Sequence, residues 1–315
     1  MKKLIFTLLV MFLGQHLFSQ IVGELAWQRK AGFEEGITQA IFTEGSTAIN
    51  ANHSQVLIAV NSNAGTINIY SVDKETGAIG ELKSSKTFDK RGTWAVSLLG
   101  GNSVNKYVMI SFADYGVIEI YPMDVYGRLG DKTWETNSFE KGISIVVAMQ
   151  DNVLLVKPNA GFAWIFTHKD GKLGQMTWQT QGWDKGMAAG TSAGSNTAAL
   201  THPDGKFWMV NCSTGEAVIE YSTDKFAKGI TIMASNPVMQ SGIFVGDPYT
   251  GHQWELQRKA ANLEVVKDSP NWEKGLTVQA FAVFSPEGYV RQDKGFFYVF
   301  KPEIGTVWAF RAKVN

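Results

Sequence analysis

Cysteine is almost absent from this 315-residue sequence, in which Cys212 stands alone. A single cysteine excludes an intramolecular disulfide and a cysteine cluster of the kind that binds zinc. Stability must therefore come from burial of apolar side chains, which the sequence supplies as many aromatic and β-branched residues.

The sequence also lacks an excess of charge of either sign, with 29 basic and 29 acidic residues. Lys2 and Lys3 belong to a predicted signal peptide, described below. Without them the chain has 27 basic and 29 acidic residues, a net charge of about −2. Nucleic-acid-binding domains carry a basic surface. We therefore predict no nucleic-acid partner.

Catalytic motifs are missing as well. The sequence contains no H-E-x-x-H, no Gly-x-Ser-x-Gly and no P-loop. The four histidines that follow the first 20 residues show no paired spacing, and they are His53, His168, His202 and His252. We predict a structural or surface role for each of them, and no catalytic residue is identified.

No apolar run is long enough to cross a bilayer, which takes about 20 residues. Lys2 and Lys3 precede the apolar run Leu4–Leu13, and the small residue Ser19 follows it, as in a secretory signal peptide. No cysteine lies directly after the run, which argues against a lipid anchor. We expect residues 1–19 to be cleaved and residues 20–315 to form one domain, secreted or periplasmic, with no membrane span.

An aromatic residue followed by polar residues and a glycine recurs six times, and we call these segments junction turns. They are Phe33–Gly36, Phe88–Gly92, Phe139–Gly142, Trp183–Gly186, Phe226–Gly229 and Trp272–Gly275. Their glycines are 56, 50, 44, 43 and 46 residues apart. Such periods fit either the blades of a β-propeller or pairs of helices.

A second repeat favours the propeller. Each unit contains a β-type run that ends in a polar loop and a glycine, followed by another β-type run. The predicted loop glycines are Gly65, Gly116, Gly161, Gly215, Gly251 and Gly305. We predict an all-β, six-bladed β-propeller in which Phe207–Val210 is the second strand of blade four. That blade is expected to be short, because Glu216–Lys225 alone separates its loop from Phe226.

The chain ends indicate how the ring closes. The 40 residues after Gly275 suffice for three strands, whereas Gln20–Gly36 supplies one extra strand, ELAWQRK. The amino-terminal strand should complete the last blade and leave no open sheet edge, so that a monomer is plausible.

Junction turns and polar loops should share one face of the ring, where propeller ligands usually bind. Candidate binding residues are the polar loop residues Asn63, Asp114, Asn159, Asp247 and Glu303 and the turn lysines Lys141, Lys185, Lys228 and Lys274. Turn chemistry also explains asparagine and aspartate in such loops. The lysines either sit in solvent or form a cationic ring that attracts an anionic ligand.

One further candidate departs from the repeat. The second residue after the turn glycine carries a hydroxyl in four copies, but is Trp94 in the second unit and Ala188 in the fourth. Two interpretations stay open: Trp94 stacks on a sugar ring or closes the channel, or it fills space that Ala188 leaves across the axis.

The segment Gly65–Ser85, GTINIYSVDKETGAIGELKSS, resembles the blade signature of lactonase-type propellers related to 6-phosphogluconolactonase. That resemblance implies a propeller fold and a hydrolase activity, although family members typically have seven blades and none of their catalytic residues matches here.

Two functions follow from these patterns. The first is a secreted, non-catalytic, lectin-like binding protein for a glycan, peptide or protein. The alternative is a propeller hydrolase or lactonase with a divalent metal in the channel. We lean against an enzyme and predict no cofactor and no metal ligand, although Ca²⁺ bound through carbonyl and loop oxygens is compatible with this composition.

Overall fold

A computed structural model describes residues 24–43, 56–100, 106–124, 126–224, 226–236, 242–259, 262–270, 272–283 and 295–311. These residues form six four-stranded antiparallel sheets arranged as a six-bladed β-propeller, and they include no helix. The predicted fold is confirmed. The described part of the chain contains no helix long and apolar enough to span a membrane.

The strands run in chain order from the channel outward in blades one to five. Blade one comprises β2 (Gln39–Phe42), β3 (Val56–Asn61), β4 (Thr66–Val72) and β5 (Ile79–Thr87); blade two β6 (Trp94–Leu99), β7 (Lys106–Phe112), β8 (Val117–Met123) and β9 (Trp134–Thr136); blade three β10 (Ile145–Ala148), β11 (Asn152–Lys157), β12 (Phe162–Lys169) and β13 (Lys172–Thr180). Blade four comprises β14 (Ala189–Ser192), β15 (Thr197–Thr201), β16 (Phe207–Asn211) and β17 (Val218–Thr223); blade five β18 (Ile232–Asn236), β19 (Gly242–Asp247), β20 (His252–Lys259) and β21 (Asn262–Ser269). Blade six comprises β22 (Val278–Val283), β23 (Gly295–Lys301), β24 (Thr306–Arg311) and β1 (Leu25–Arg29).

The second strand of each blade explains why the sheets stack around an axis. Strands β3 and β23 are buried along almost their whole length, and their sequences, VLIAVN and GFFYVFK, are apolar on both faces. A strand has apolar residues on both faces when both faces of its sheet are covered by other parts of the protein. Each blade is therefore packed between two neighbours.

The hydrophobic core is divided among the blade junctions. The described buried residues fall into six clusters, and each joins two adjacent blades. Phe88, for example, comes from the junction turn that enters blade two and packs with Ile67 and Ile69 of blade one. The turn aromatics thus act as wedges between sheets, which explains why aromatics recur there.

The amino-terminal strand closes the ring, as predicted. β1 pairs antiparallel with β24, and the Arg311 amide donates to the Glu24 carbonyl at 2.9 Å. At the same junction the Phe33 amide donates to the Gly305 carbonyl at 2.9 Å. Both ends of the described chain therefore belong to blade six.

The prediction for blade four is wrong in its strand assignment. Phe207–Asn211 is the third strand, and the second is Thr197–Thr201. The predicted loop glycine, Gly215, lies in the hairpin between the third and fourth strands. Its missing Cβ would lie 3.2 Å from Thr177 of blade three, much as Gly171 in the corresponding hairpin of blade three approaches Tyr107 of blade two.

The loop between the second and third strands of blade four is instead His202–Lys206, with Gly205 as its glycine. Blade four is therefore a complete four-stranded sheet. The interval between the predicted loop glycine, Gly215, and Phe226 is short because Gly215 belongs to the later hairpin between the third and fourth strands.

A buried carboxylate ties one junction turn to its sheet. Glu119 of β8 is 3% exposed and accepts a hydrogen bond from the Tyr121 hydroxyl at 2.5 Å. Its Oε1 lies 3.2 Å from the Nζ atoms of Lys90, in the junction turn, and Lys132. Burial raises the pKa of Glu119, but hydrogen bonds from Tyr121, Lys132 and Lys90 outweigh it and hold the pKa below its ordinary value.

Replacing Glu119 by glutamine should lower the free energy of unfolding by about 2 kcal/mol at pH 7, because both lysines lose their buried counter-ion. The folded pKa lies below the unfolded value of about 4.3, so the carboxylate stabilises the fold above that pH and ceases to do so as pH falls through the folded value. Urea unfolding of wild type and Glu119→Gln should therefore converge from pH 7 toward pH 3. A difference that stays constant with pH would contradict this account.

Candidate functional site

Junction turns and loops lie against each other at every blade junction. In all six turns the glycine amide donates a hydrogen bond to a carbonyl at the start of the loop in the preceding blade. The distances are 3.0 Å from Gly36 to Pro302, 3.1 Å from Gly92 to Ser62, 2.7 Å from Gly142 to Ala113, 3.0 Å from Gly186 to Pro158, 2.7 Å from Gly229 to Pro203 and 2.9 Å from Gly275 to Pro248. The two repeats thus form one surface, which we call the loop face.

The loop glycines make this contact close. A Cβ on Gly161 would lie 2.2 Å from the Trp183 carbonyl oxygen, and one on Gly251 would lie 2.1 Å from that of Trp272. Both glycines have positive φ, 69° and 76°, which L-residues adopt at a cost. The loop face therefore rests on a backbone framework that side chains do not interrupt.

The predicted polar loop residues divide into two groups. Asn63, Asn159 and Glu303 are exposed at the loop tips. Asp114 and Asp247 bond within the turns: Asp114 Oδ2 accepts from the Thr93 amide at 2.7 Å, and Asp247 Oδ1 accepts from the Tyr249 amide at 2.8 Å. Asp247 is buried and stabilises its turn, whereas Asp114 is exposed and, like the first three residues, remains accessible to a ligand.

The four turn lysines, Lys141, Lys185, Lys228 and Lys274, are all exposed. Where the preceding residue is acidic, a lysine of the same blade pairs with it: Lys157 with Glu140 at 2.6 Å, Lys206 with Asp184 at 2.9 Å, and Lys301 with Glu273. Among the described residues, no carboxylate lies within 4.0 Å of these four lysines, whereas Lys90, in the turn that enters blade two, pairs with Asp89 and Glu119. Lysines of the same blade therefore neutralise the acids of three turns, and the four lysines Lys141, Lys185, Lys228 and Lys274 are left to solvent.

The charge of the loop face is not uniform. The exposed acids Glu35 and Glu303 lie near the junction of blades six and one, where the turn has the sequence FEEG and no lysine. The turn lysines occupy the four consecutive junctions from blades two and three to blades five and six. The loop face thus has an arc of lysines, with the exposed carboxylates of Asp114 and Asp204 in its loops, and a more acidic side around Glu35 and Glu303.

Three exposed apolar side chains on this face were not predicted from the sequence. Tyr115, Tyr249 and Ile304 lie at loop tips just before the loop glycines, and their exposed fractions are 45%, 75% and 45%. The sequence does indicate their exposure, because a large apolar residue at a loop tip close to the loop glycine lies away from the hydrophobic core. Tyr249 and Ile304 belong to adjacent blades.

The channel at the centre of the ring has a volume of about 910 Å³ and is lined by the first strands of all six blades. Its wall includes the hydroxyl residues expected from the repeat, Thr38, Ser144, Thr231 and Thr277, and also Ala188. Asp151 is the only carboxylate in the described lining. The wall is thus mostly apolar, hydroxyl and amide in character.

Trp94 does not reach the channel wall. It is 5% exposed and packs between blades one and two, with ring centroids 5.3 Å from Phe88 and 5.0 Å from Phe112. This packing leaves no face of the Trp94 indole free for stacking on a sugar.

The described histidines contact the framework. His168 Nε2 lies 2.9 Å from the Met149 carbonyl, His202 Nε2 lies 2.7 Å from the Lys185 carbonyl, and the His252 ring stacks on Trp254. His53 lies outside the described residues, as do residues 1–19. No three His, Cys, Asp or Glu side chains within the described ranges are grouped closely enough to hold a metal ion.

Solved propellers resemble this chain in fold. A chain from the "Crystal Structure of Mitotic Checkpoint Complex" aligns with a TM-score of 0.53 at 11% identity, covering 92% of this chain and 96% of its own. The "Structure of U3-55K" aligns with a TM-score of 0.51 at 9% identity, covering 90% and 98%. A protein from Lactobacillus plantarum aligns with a TM-score of 0.53 at 8% identity, covering 76% and 86%.

These likenesses show the fold alone. No protein-family model and no curated protein matches the sequence.

Proposed function

We propose that this chain is a non-catalytic binding protein that recognises an acidic protein or peptide segment through the loop face. The observation that carries the proposal is that Lys141, Lys185, Lys228 and Lys274 are exposed in an arc over four junctions, while the acids of three of these turns pair with other lysines, Lys157, Lys206 and Lys301. Complementary charge steers a ligand to such a surface and fixes its orientation.

The exposed apolar side chains add contact area to this charge pattern. Tyr115 and Tyr249 lie in the loops of blades two and five, at the two ends of the arc, and aromatic side chains near cationic ones are typical of protein-binding surfaces. The acidic side, with Glu35 and Glu303, would repel the same ligand and so restrict it to the arc. Secretion through residues 1–19 stays a prediction and is consistent with an external ligand.

The binding test uses fluorescently labelled decapeptides in which Asp or Glu alternates with Tyr or Leu, and matched peptides with Asn or Gln. Fluorescence anisotropy with residues 20–315 should show binding of the acidic peptides, weakened by salt because exposed charges are screened. Equal binding of the neutral peptides would contradict the proposal.

Replacing Lys141, Lys185, Lys228 and Lys274 together by glutamine should weaken acidic-peptide binding at least tenfold, because the cationic arc is removed. The melting temperature should change by no more than about 2 °C, since these side chains are exposed. The matched control replaces the exposed lysines Lys74, Lys83, Lys169 and Lys172, which lie on outer strands and hairpins away from the loop face. An equal loss of binding in the control would show nonspecific attraction.

A thermal-shift screen tests the two other functions predicted from the sequence, glycan binding and a metal-dependent hydrolase or lactonase. The ligands are oligosaccharides, lactones and Ca²⁺, each with and without chelator. A ligand that binds the native state raises the melting temperature. A shift with sugars would favour the glycan-binding function, and a Ca²⁺-dependent shift with lactone turnover would favour the hydrolase.

A further inference from the structure

The third strands of four blades place an aromatic ring against the junction turn that enters the same blade. The ring is the fifth residue after the loop glycine. The centroid distances are 5.1 Å for Tyr70 and Phe33, 5.5 Å for Tyr121 and Phe88, 5.3 Å for Phe166 and Phe139, and 5.5 Å for Phe310 and Trp272.

Blade four has Val210 at this position. The equivalence follows from Gly205, which is the loop glycine of that blade, and from the strand pairing. The register shifts just before Val210, as it does just before Tyr70 and Phe166. Val210 therefore stands where the other blades carry a ring.

The space of the missing ring is open. A pocket of about 180 Å³ lies beside Trp183 and Val210, and we call it the ring pocket; its other lining residues are Gly182, Asp184, Met187, Leu200, Trp208 and Ile219. An apolar cavity of about 150 Å³ suffices to bind benzene in another protein. In blade five, where Leu256 takes the position, the Trp254 ring packs 5.4 Å from Phe226 instead.

The chemistry of the ring pocket changes from floor to mouth. Met187, Leu200 and Val210 are buried, with exposed fractions of 6%, 1% and 1%. Trp183 and Trp208 are half-buried, and Ile219 at the mouth is 50% exposed. The Asp184 carboxylate, 45% exposed, is held at the rim by Lys206.

We propose that the ring pocket binds a planar aromatic ring, supplied by a small molecule or by a peptide side chain. The ring takes the place that Tyr70 or Phe166 holds in its own blade and packs on Trp183. An N–H or O–H at its edge donates to Asp184 at the rim. This site is independent of the proposed recognition of acidic peptides by the turn lysines.

Calorimetric titration with indole and p-cresol should show saturable binding, with a dissociation constant of about 1 mM or tighter for ligands of this size. The capped peptides Gly-Trp-Gly and Gly-Leu-Gly distinguish the sources. Tighter binding of Gly-Trp-Gly than of indole would assign the ring to a peptide, and the reverse would assign it to a small molecule. No saturable binding of any ring, or measurable binding of Gly-Leu-Gly that is as tight as that of Gly-Trp-Gly, would overturn the proposal.

Val210→Phe should fill the ring pocket, weaken indole binding at least tenfold and raise the melting temperature by about 2 °C, because a cavity is removed. Val265→Phe is the control, since Val265 lies on the outer strand of blade five and is 49% exposed; binding should be unchanged. Ile219→Glu alters the exposed mouth of the ring pocket without touching the core and should weaken indole binding at least threefold. This second variant tests the proposal even if Val210→Phe does not fold. Wild-type affinity in folded Val210→Phe, or in Ile219→Glu, would overturn the proposal.

Discussion

Starting the chain at Ile37 instead of at residue 20 is expected to lower the melting temperature by roughly 10–20 °C or to abolish cooperative unfolding. The truncation removes β1, which pairs with β24, and the Phe33 wedge in the core between blades six and one. Val307 and Phe310, now 0% and 1% exposed, would then belong to an edge strand. Differential scanning calorimetry of the two chains measures the effect.

A synthetic peptide of residues 24–36 supplies the control. Added to the truncated chain, it should restore part of the stability by pairing with β24, because it binds the folded ring and not the unfolded chain. A scrambled peptide should have no effect. An unchanged melting temperature after truncation would show that the ring does not depend on its amino-terminal strand.

Gly251→Ala should reduce the free energy of unfolding by about 4 kcal/mol, a large loss for a point substitution. The new Cβ would lie 2.1 Å from the Trp272 carbonyl oxygen, and that oxygen belongs to the backbone and cannot turn away. The positive φ of 76° adds a further cost for any L-residue. Urea denaturation gives the difference directly.

Two glycines separate these contributions. Gly275, at the same junction, also has positive φ, 82°, but its nearest neighbour would be Lys301 Cε at 3.6 Å, so alanine there should cost about 1–2 kcal/mol. Gly100 has neither positive φ nor any atom within 4 Å, and alanine there should change stability by less than about 0.5 kcal/mol. Equal losses at Gly251 and Gly275 would mean that the close junction contact does not contribute.

The architecture could be predicted from the sequence because its units repeat. An aromatic wedge and a positive-φ glycine are needed at each junction, and both leave a visible residue type. The strand count at the two chain ends then required β1 to join blade six. The repeats therefore predict the number of blades and the pairing of distant strands, which the sequence of a single strand does not.

Blade four could not be assigned in the same way, because its inner strands are built from small and hydroxyl residues. The sequences AGTS and TAALT of β14 and β15 have few β-branched or aromatic side chains, yet they form strands between well-packed neighbours. Tertiary packing overrides weak local preference in a sheet. The sequence pattern therefore predicts the more apolar β16 as the second strand, although it is the third.

That displacement also hid the ring pocket. Counting five residues from Gly215 reaches Glu220, whereas counting from Gly205 reaches Val210, where an aromatic is missing. The sequence likewise does not show the burial of Trp94, because the strands of blade one that complete its core cluster belong to a different sheet from its cross-strand partner Phe112. Loop tips such as Tyr249 needed no such packing and were predictable.

The closing blade also imposes an order on the pairing of strands during folding. The Thr306 hydroxyl donates to the Lys30 carbonyl, joining residues that are 276 positions apart, so β1, the first described strand in chain order, pairs only after β24 has been synthesised. Contacts of such sequence separation form slowly, because a long loop must close before any bond rewards it. Until then β1 and β24 can exchange partners with those of another nascent molecule. We therefore expect any domain-swapped dimer of this protein to form in the interval before the ring closes.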